Sequence, residues 1–137
     1  MKKIKISKLI CKSNDQGSLY RIMRETDKSF NRFGEVYITT LKPNIFKGWK
    51  MHTINTTNLS VHIGEVKVII FDKNKENQEV FILNSKNYER LTIPCGFWFG
   101  LKNISKNESY LSNFSDFEHN PKEVINKDIS FIKSQHI

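Results

Sequence analysis

The amino-acid sequence predicts an all-β domain of the sandwich or jelly-roll kind, and three observations carry that expectation. Between residues 4 and 115, seven or more short β-type runs alternate with turn clusters. The only clear helix signal comes late, over 119–128. At 137 residues the chain has the length of one domain, enough to bury a core without disulfides or a metal. No repeat, low-complexity tract or Pro/Gly-rich linker divides it, so residues 1–137 are expected to form a single unit.

Taken in order, "GEVYITTL" (34–41) alternates apolar and polar side chains, as a half-buried strand does. "KPN" (42–44) turns, and "IFKGW" (45–49) resumes the strand pattern. "LSVHIGEVKVIIFD" (59–72) divides into two strands joined at Gly64. After the polar loop "KNKENQ" come "EVFILN" (79–84), "YERLTIPCGFWFGLKNI" (88–104) and "SYLSNFS" (109–115). In "HNPKEVINKD" (119–128), Asn120 stands as N-cap, Pro121 at the first helical position and Glu123 at the third. That order predicts a short helix near the carboxyl end, covering one mouth or edge of the sheet.

Composition bounds the function. Hydrophobic residues make up 38% and aromatics 12%, with ten Phe, which specifies a packed globule and excludes disorder. The two cysteines, Cys11 and Cys95, lack metal-site or disulfide-framework spacing and are read as reduced thiols. Lysines at 3, 5 and 8 interrupt any apolar core of a signal peptide, and no window reaches the length of a membrane span. A cytoplasmic protein without membrane contact is expected. The formal charge of +8 is spread along the whole length, and no nucleic-acid motif accompanies it, so most of it is read as a solvated face.

The stretch "FKGWKMHTINTTNLSVHIGEV" (46–66) is similar in outline to the first motif of the cupins: a Gly opens a strand, an H-x-H pair follows, and a second Gly closes the next strand. Lys50 stands where the first imidazole belongs. Three blocks in register extend the likeness: residues 13–52, "YERLTIPCGFWFGLKNIS" (88–105) and "SNFSDFEHNPKEV" (112–124). Together they resemble the short members of the dTDP-4-dehydrorhamnose 3,5-epimerase-like cupins, a group that neighbours the sugar 3,4-ketoisomerases. The resemblance implies a cupin jelly-roll barrel without metal or cofactor, a homodimer exchanging strand contacts, and action on a nucleotide-linked 4-keto sugar in surface-polysaccharide biosynthesis. In that family a His base removes a proton next to the ketone and a Tyr acid assists. Here Lys50 replaces the His, Lys47 the phosphate-binding Arg, Gln16 an Arg that helps grip the diphosphate, and Ser112 the Tyr.

The metal-binding cupin template falls on Lys50, His52, Thr57 and Phe99, of which only His52 is a ready ligand, so no metal is expected. Strand alternation puts Lys50 and His52 on one face and Trp49 and Met51 on the other. With the family's face toward the barrel, a desolvated Lys50 serves as a base or forms a Schiff base with a ketone; alternatively it reaches the rim and neutralises a phosphate. His52 serves as a base or donor to the ketone, or else holds the barrel mouth. Lys47 is the expected contact to the diphosphate, and Asn113 reproduces an Asn of the short relatives. Trp98 stacks on a sugar or base, or belongs to the core. Asn58 shares its parity with Ser60 and His62; the three line a polar cavity, with Asn58 touching substrate, or cover the solvated face of an edge strand.

The sequence therefore predicts an isomerase or epimerase with Lys50 and His52 as proton-handling groups. The alternative is a cupin that has lost its catalytic His and Tyr and only binds a sugar nucleotide or a partner enzyme.

Overall fold

The structure, a computed structural model, describes residues 3–137; the first two residues of the expected domain lie outside the described residues. Twelve strands run along the described chain: β1 (Lys5–Lys8), β2 (Cys11–Asn14), β3 (Gly17–Tyr20), β4 (Glu35–Leu41), β5 (Phe46–His52), β6 (Thr57–Ile63), β7 (Glu65–Phe71), β8 (Gln78–Asn84), β9 (Glu89–Ile93), β10 (Trp98–Asn103), β11 (Ser109–Ser115) and β12 (Val124–Asn126). They form two five-stranded sheets, β1-β9-β6-β11-β4 and β12-β5-β10-β7-β8, and a separate β2-β3 hairpin. The expected jelly roll is found. No helix among the described residues is long and apolar enough to cross a membrane.

The alternation read in the sequence sets the core. Leu41, Leu59, Val61, Leu91 and Leu111 point inward from the first sheet and meet Val66, Val68, Ile70, Leu83, Phe99 and Leu101 from the second. Each such side chain, taken from water, contributes about 1.5–3 kcal/mol. The β6–β7 corner turns at Gly64, whose φ of 88° suits glycine and where a Cβ would overlap the Ser109 side chain.

The outer face of the second sheet carries its own apolar cluster. Trp49, Met51, Ile69, Phe71 and Trp98 are covered there by Ile132, Phe131 and Ile137 from the carboxyl-terminal tail. On the outer face of the first sheet, the segment after β3 folds back over β9. Tyr88 donates its hydroxyl hydrogen to the Arg21 carbonyl at 2.8 Å, and buried Arg90 donates to the Ile22 carbonyl and to Asp27.

The helix expected over 119–128 does not form. Asn120 caps a single turn, its side chain accepting from the Lys122 amide at 3.0 Å and its carbonyl from the Glu123 amide at 3.0 Å. The chain then becomes β12 and pairs with β5, Val124 opposite His52 and Asn126 opposite Lys50. Trp49 and Lys127 continue the ladder with reciprocal bonds of 2.8 Å. The unpaired edge of β5 offered a full set of backbone partners, and these outcompeted a local helix whose only support was its cap. The carboxyl-terminal region keeps one 3-10 turn, Ile129–Phe131, capped by Asp128.

Candidate active site

A cavity of about 260 Å³ opens between the two sheets. Leu59, Leu101, Leu111 and Phe99 give it apolar walls; Tyr37, Lys47, Lys50, His52 and Asn113 give it polar groups. Small apolar-walled clefts with a few convergent polar groups are where proteins bind and transform small molecules.

Strand β5 supplies three of those groups, and its geometry is irregular for a reason. Against β10 it pairs Met51 with Trp98 and Lys50 with Phe99, then Lys47 with Leu101, so that Gly48 and Trp49 together face Gly100. This is a β-bulge. Glycines accommodate the close approach: a Cβ on Gly48 would stand 2.9 Å from the Gly100 Cα, and one on Gly100 would overlap the Phe46 ring. Lys50 and His52 line the cavity while Trp49 and Met51 lie in the outer cluster, as alternation predicts. The extra residue also brings Lys47 to the cavity side, where unbroken alternation would have grouped it with Trp49.

His52 is buried, and its Nδ1 is hydrogen-bonded to Glu123 Oε1. The other carboxylate oxygen accepts from the backbone amides of Thr53, Ile54 and Asn55 at 3.2, 3.0 and 3.0 Å. Burial alone would raise the Glu123 carboxyl; bonds from His52, Asn55 and Ile54 outweigh it and hold the group below the ordinary carboxylate value. A carboxylate at Nδ1 makes that nitrogen the donor and leaves Nε2 as the acceptor. The pair has the arrangement that a general base and its orienting group require. Glu123 was not recognised as a functional residue from the sequence, because its spacing from Asn120 resembled a helix start.

Lys50 occupies the same cavity. Burial lowers its ammonium below the ordinary lysine range, neighbouring Lys47 lowers it further, and Glu123 partly opposes both. Tyr37, also absent from the sequence-based candidates, brings a phenol into the cavity from β4 and accepts a bond of 2.8 Å from Asn113 Nδ2. Burial raises its pKa above the usual phenol value. Lys127, which follows β12, adds another cationic residue to the cavity lining.

Two expected contacts lie elsewhere. Trp98 points to the outer face of the second sheet, against Phe131 at 4.7 Å between ring centroids, and does not line the cavity. Asn58 is likewise turned outward: its Nδ2 donates to the Phe114 carbonyl at 3.1 Å and its Oδ1 accepts from Thr92 at 2.7 Å. The strand it occupies, β6, is central rather than an edge. Ser112, the counterpart of the family's Tyr, faces away from the cavity as well, bonded to Ser60 at 2.9 Å and to His62 at 2.8 Å. Gln16 lies exposed in the β2–β3 hairpin turn. The four positions of the metal template, Lys50, His52, Thr57 and Phe99, do converge on the cavity. Of these, only the imidazole is a ready metal ligand, and its Nδ1 is bonded to Glu123.

Comparison with known proteins agrees with this architecture. The family model described as "FdtA: WxcM-like, C-terminal" matches residues 2–136. The spore coat polysaccharide biosynthesis protein SpsL of Bacillus subtilis (strain 168) is 22% identical over 131 residues, covering 92% of this chain and 87% of SpsL. The dTDP sugar isomerase of Desulfovibrio desulfuricans G20 superposes with a TM-score of 0.87 at 24% identity, over 91% of this chain and 83% of that one. The WlaRB TDP-quinovose 3,4-ketoisomerase of Campylobacter jejuni superposes at 0.77 with 23% identity, over 93% and 95% of the two chains. Sugar 3,5-epimerases share the fold at 17 and 18% identity. The cupin likeness carried by the sequence motifs is thus present in three dimensions.

Proposed function

The chain belongs to the family described as FdtA, WxcM-like C-terminal, and from that premise we propose that it is an epimerase or isomerase of a nucleotide-linked 4-keto sugar in surface-polysaccharide biosynthesis. The observation that carries the reading is the His52–Glu123 pair facing a cavity that Lys50 shares. His52 Nε2 takes the proton from the carbon next to the ketone. The negative charge that develops is met by Lys50, and the Tyr37 phenol supplies a further proton donor within the same walls. Lys47 and Lys127 offer point charges to the diphosphate, without the bidentate fork that an Arg would give. Asn113 orients Tyr37. A cytoplasmic location fits two unpaired cysteines, one of them exposed.

Incubation with TDP-4-keto-6-deoxyglucose in heavy water tests the reading. Deuterium next to the ketone, detected by mass spectrometry, is the expected result. Binding without exchange would instead assign the chain to the non-catalytic reading, which Lys50 in place of the family's His and the outward turn of Ser112 favour.

A homodimer is part of the proposal. Strand β4 forms an edge of its sheet, and Val36, Ile38, Ile63 and Tyr110 lie exposed on the same outer face. Ile38 alone is 66% exposed. A second copy covering this face would remove both the edge and the apolar patch from solvent. Light scattering at micromolar concentration is expected to give a dimer, and Ile38→Lys to give a monomer; a wild-type monomer would refute the proposal.

A further inference from the structure

We propose that Lys50 acts on the substrate covalently, its Nζ condensing with the sugar ketone to an iminium ion, and that this route restricts the chain to epimerisation. The inference rests on the function proposed above.

Three features of the cavity support it. Lys50 lies between Lys47 and His52 among the β5 residues that line the cavity, so nucleophile and base face the same space. Among the described residues, its Nζ forms no ion pair or hydrogen bond that would hold it as a structural ammonium. Glu123, the nearby carboxylate, is committed to His52 and to three backbone amides. An amine that is partly desolvated and placed beside a second cation is the arrangement by which a lysine becomes a nucleophile toward carbonyls. Burial and Lys47 both act in that direction on Lys50.

The chemistry balances without any further reagent. One ammonium and one ketone give one iminium and one water, with charge conserved. The iminium nitrogen draws electrons from the adjacent C–H bond, and that proton passes to His52 Nε2, leaving a neutral enamine. A proton from the Tyr37 phenol, delivered to the opposite face, restores the iminium with the centre inverted; the proton held on His52 then makes good the phenolate, and water releases the ketone and the lysine. Migration of the keto group is a different matter. It would require a proton on the carbon bonded to Nζ, producing a secondary amine that water does not cleave. A covalent Lys50 is therefore compatible with inversion next to the ketone and incompatible with turnover as a 3,4-ketoisomerase.

The test incubates the full chain with TDP-4-keto-6-deoxyglucose and cyanoborohydride, which reduces iminium ions selectively, with a parallel deuterium-exchange reaction lacking hydride. The expected result is a protein mass raised by one sugar nucleotide, mapped to Lys50 by peptide mass analysis and lost in Lys50→Arg. In ¹⁸O water, the recovered ketone should carry the label in the wild type and only the background level in Lys50→Arg. Exchange without an adduct and without ¹⁸O gain overturns the inference and leaves the proposed function standing. An adduct that persists in Lys50→Arg is surface chemistry and also overturns it. Absence of both exchange and adduct refutes the function and the inference together.

Discussion

His52→Gln is expected to lower deuterium exchange next to the ketone by about 10²–10⁴-fold, the usual loss when a positioned general base is removed. Glutamine can still fill the space and bond to Glu123, but its amide does not take up a proton at neutral pH. Binding of the sugar nucleotide, followed by calorimetry, should change little, because Lys47, Lys127 and the apolar walls remain. A fall in exchange with binding preserved is the signature of an interaction made in the transition state. Unchanged exchange would remove His52 from the role of base and leave Lys50 or Tyr37 to fill it.

Glu123→Gln should have an effect of similar size on exchange, by a different route. The carboxylate fixes His52 Nδ1 as the donor; a glutamine that uses its oxygen for the Thr53–Asn55 amides presents its NH₂ to the imidazole instead. The proton then moves to Nε2, the nitrogen that has to accept from substrate, and exchange falls by about 10²–10⁴-fold as for the base itself. A purely structural glutamate would leave the pH profile of the residual activity in place, so a displaced profile distinguishes the two roles. Stability should also respond. The folded Glu123 carboxyl lies below its ordinary value of 4.5, so its contribution is present above that value and is lost as pH falls through the lower folded one. Urea melts should accordingly place the variant about 1.5–3 kcal/mol below wild type at pH 7, with the gap closing in acid. A gap independent of pH would contradict the assignment of Glu123 as the buried charge.

The comparison between sequence and structure divides along the range of the forces involved. Strands β4, β6, β7 and β11 were legible because side-chain alternation and Gly64 are local signals, and the same alternation correctly put Lys50 and His52 together. Parity could have done more. The metal template already placed Thr57 and Phe99 inside, which turns their neighbours Asn58 and Trp98 outward, and the alternation of "GEVYITTL" groups Tyr37 with the core residue Leu41. Glu123 was beyond that kind of reading. Its segment carries strong local cap signals, and what overrides them is the open edge of β5, some seventy positions earlier in the chain. Lys47 was legible only through the family comparison, since nothing in the run "FKGWK" announces that Gly48 and Trp49 together face one residue.

The bulge on β5 has an evolutionary corollary. It splits one strand into two segments with separate registers: one carries the charge suited to a phosphate, and the other carries the groups suited to a proton. Loss of the bulge with every residue retained, as a bulky side chain at Gly48 would favour, would set Gly48 opposite Leu101 and turn Lys47 out of the cavity, while Lys50 and His52 would keep their places along β10. On the proposed function, affinity for the carrier nucleotide can therefore drift by substitution at or before the glycine without trial of the chemistry after it. On that reading, the capacity to recognise a new donor and the capacity to transform it are separately heritable in this strand.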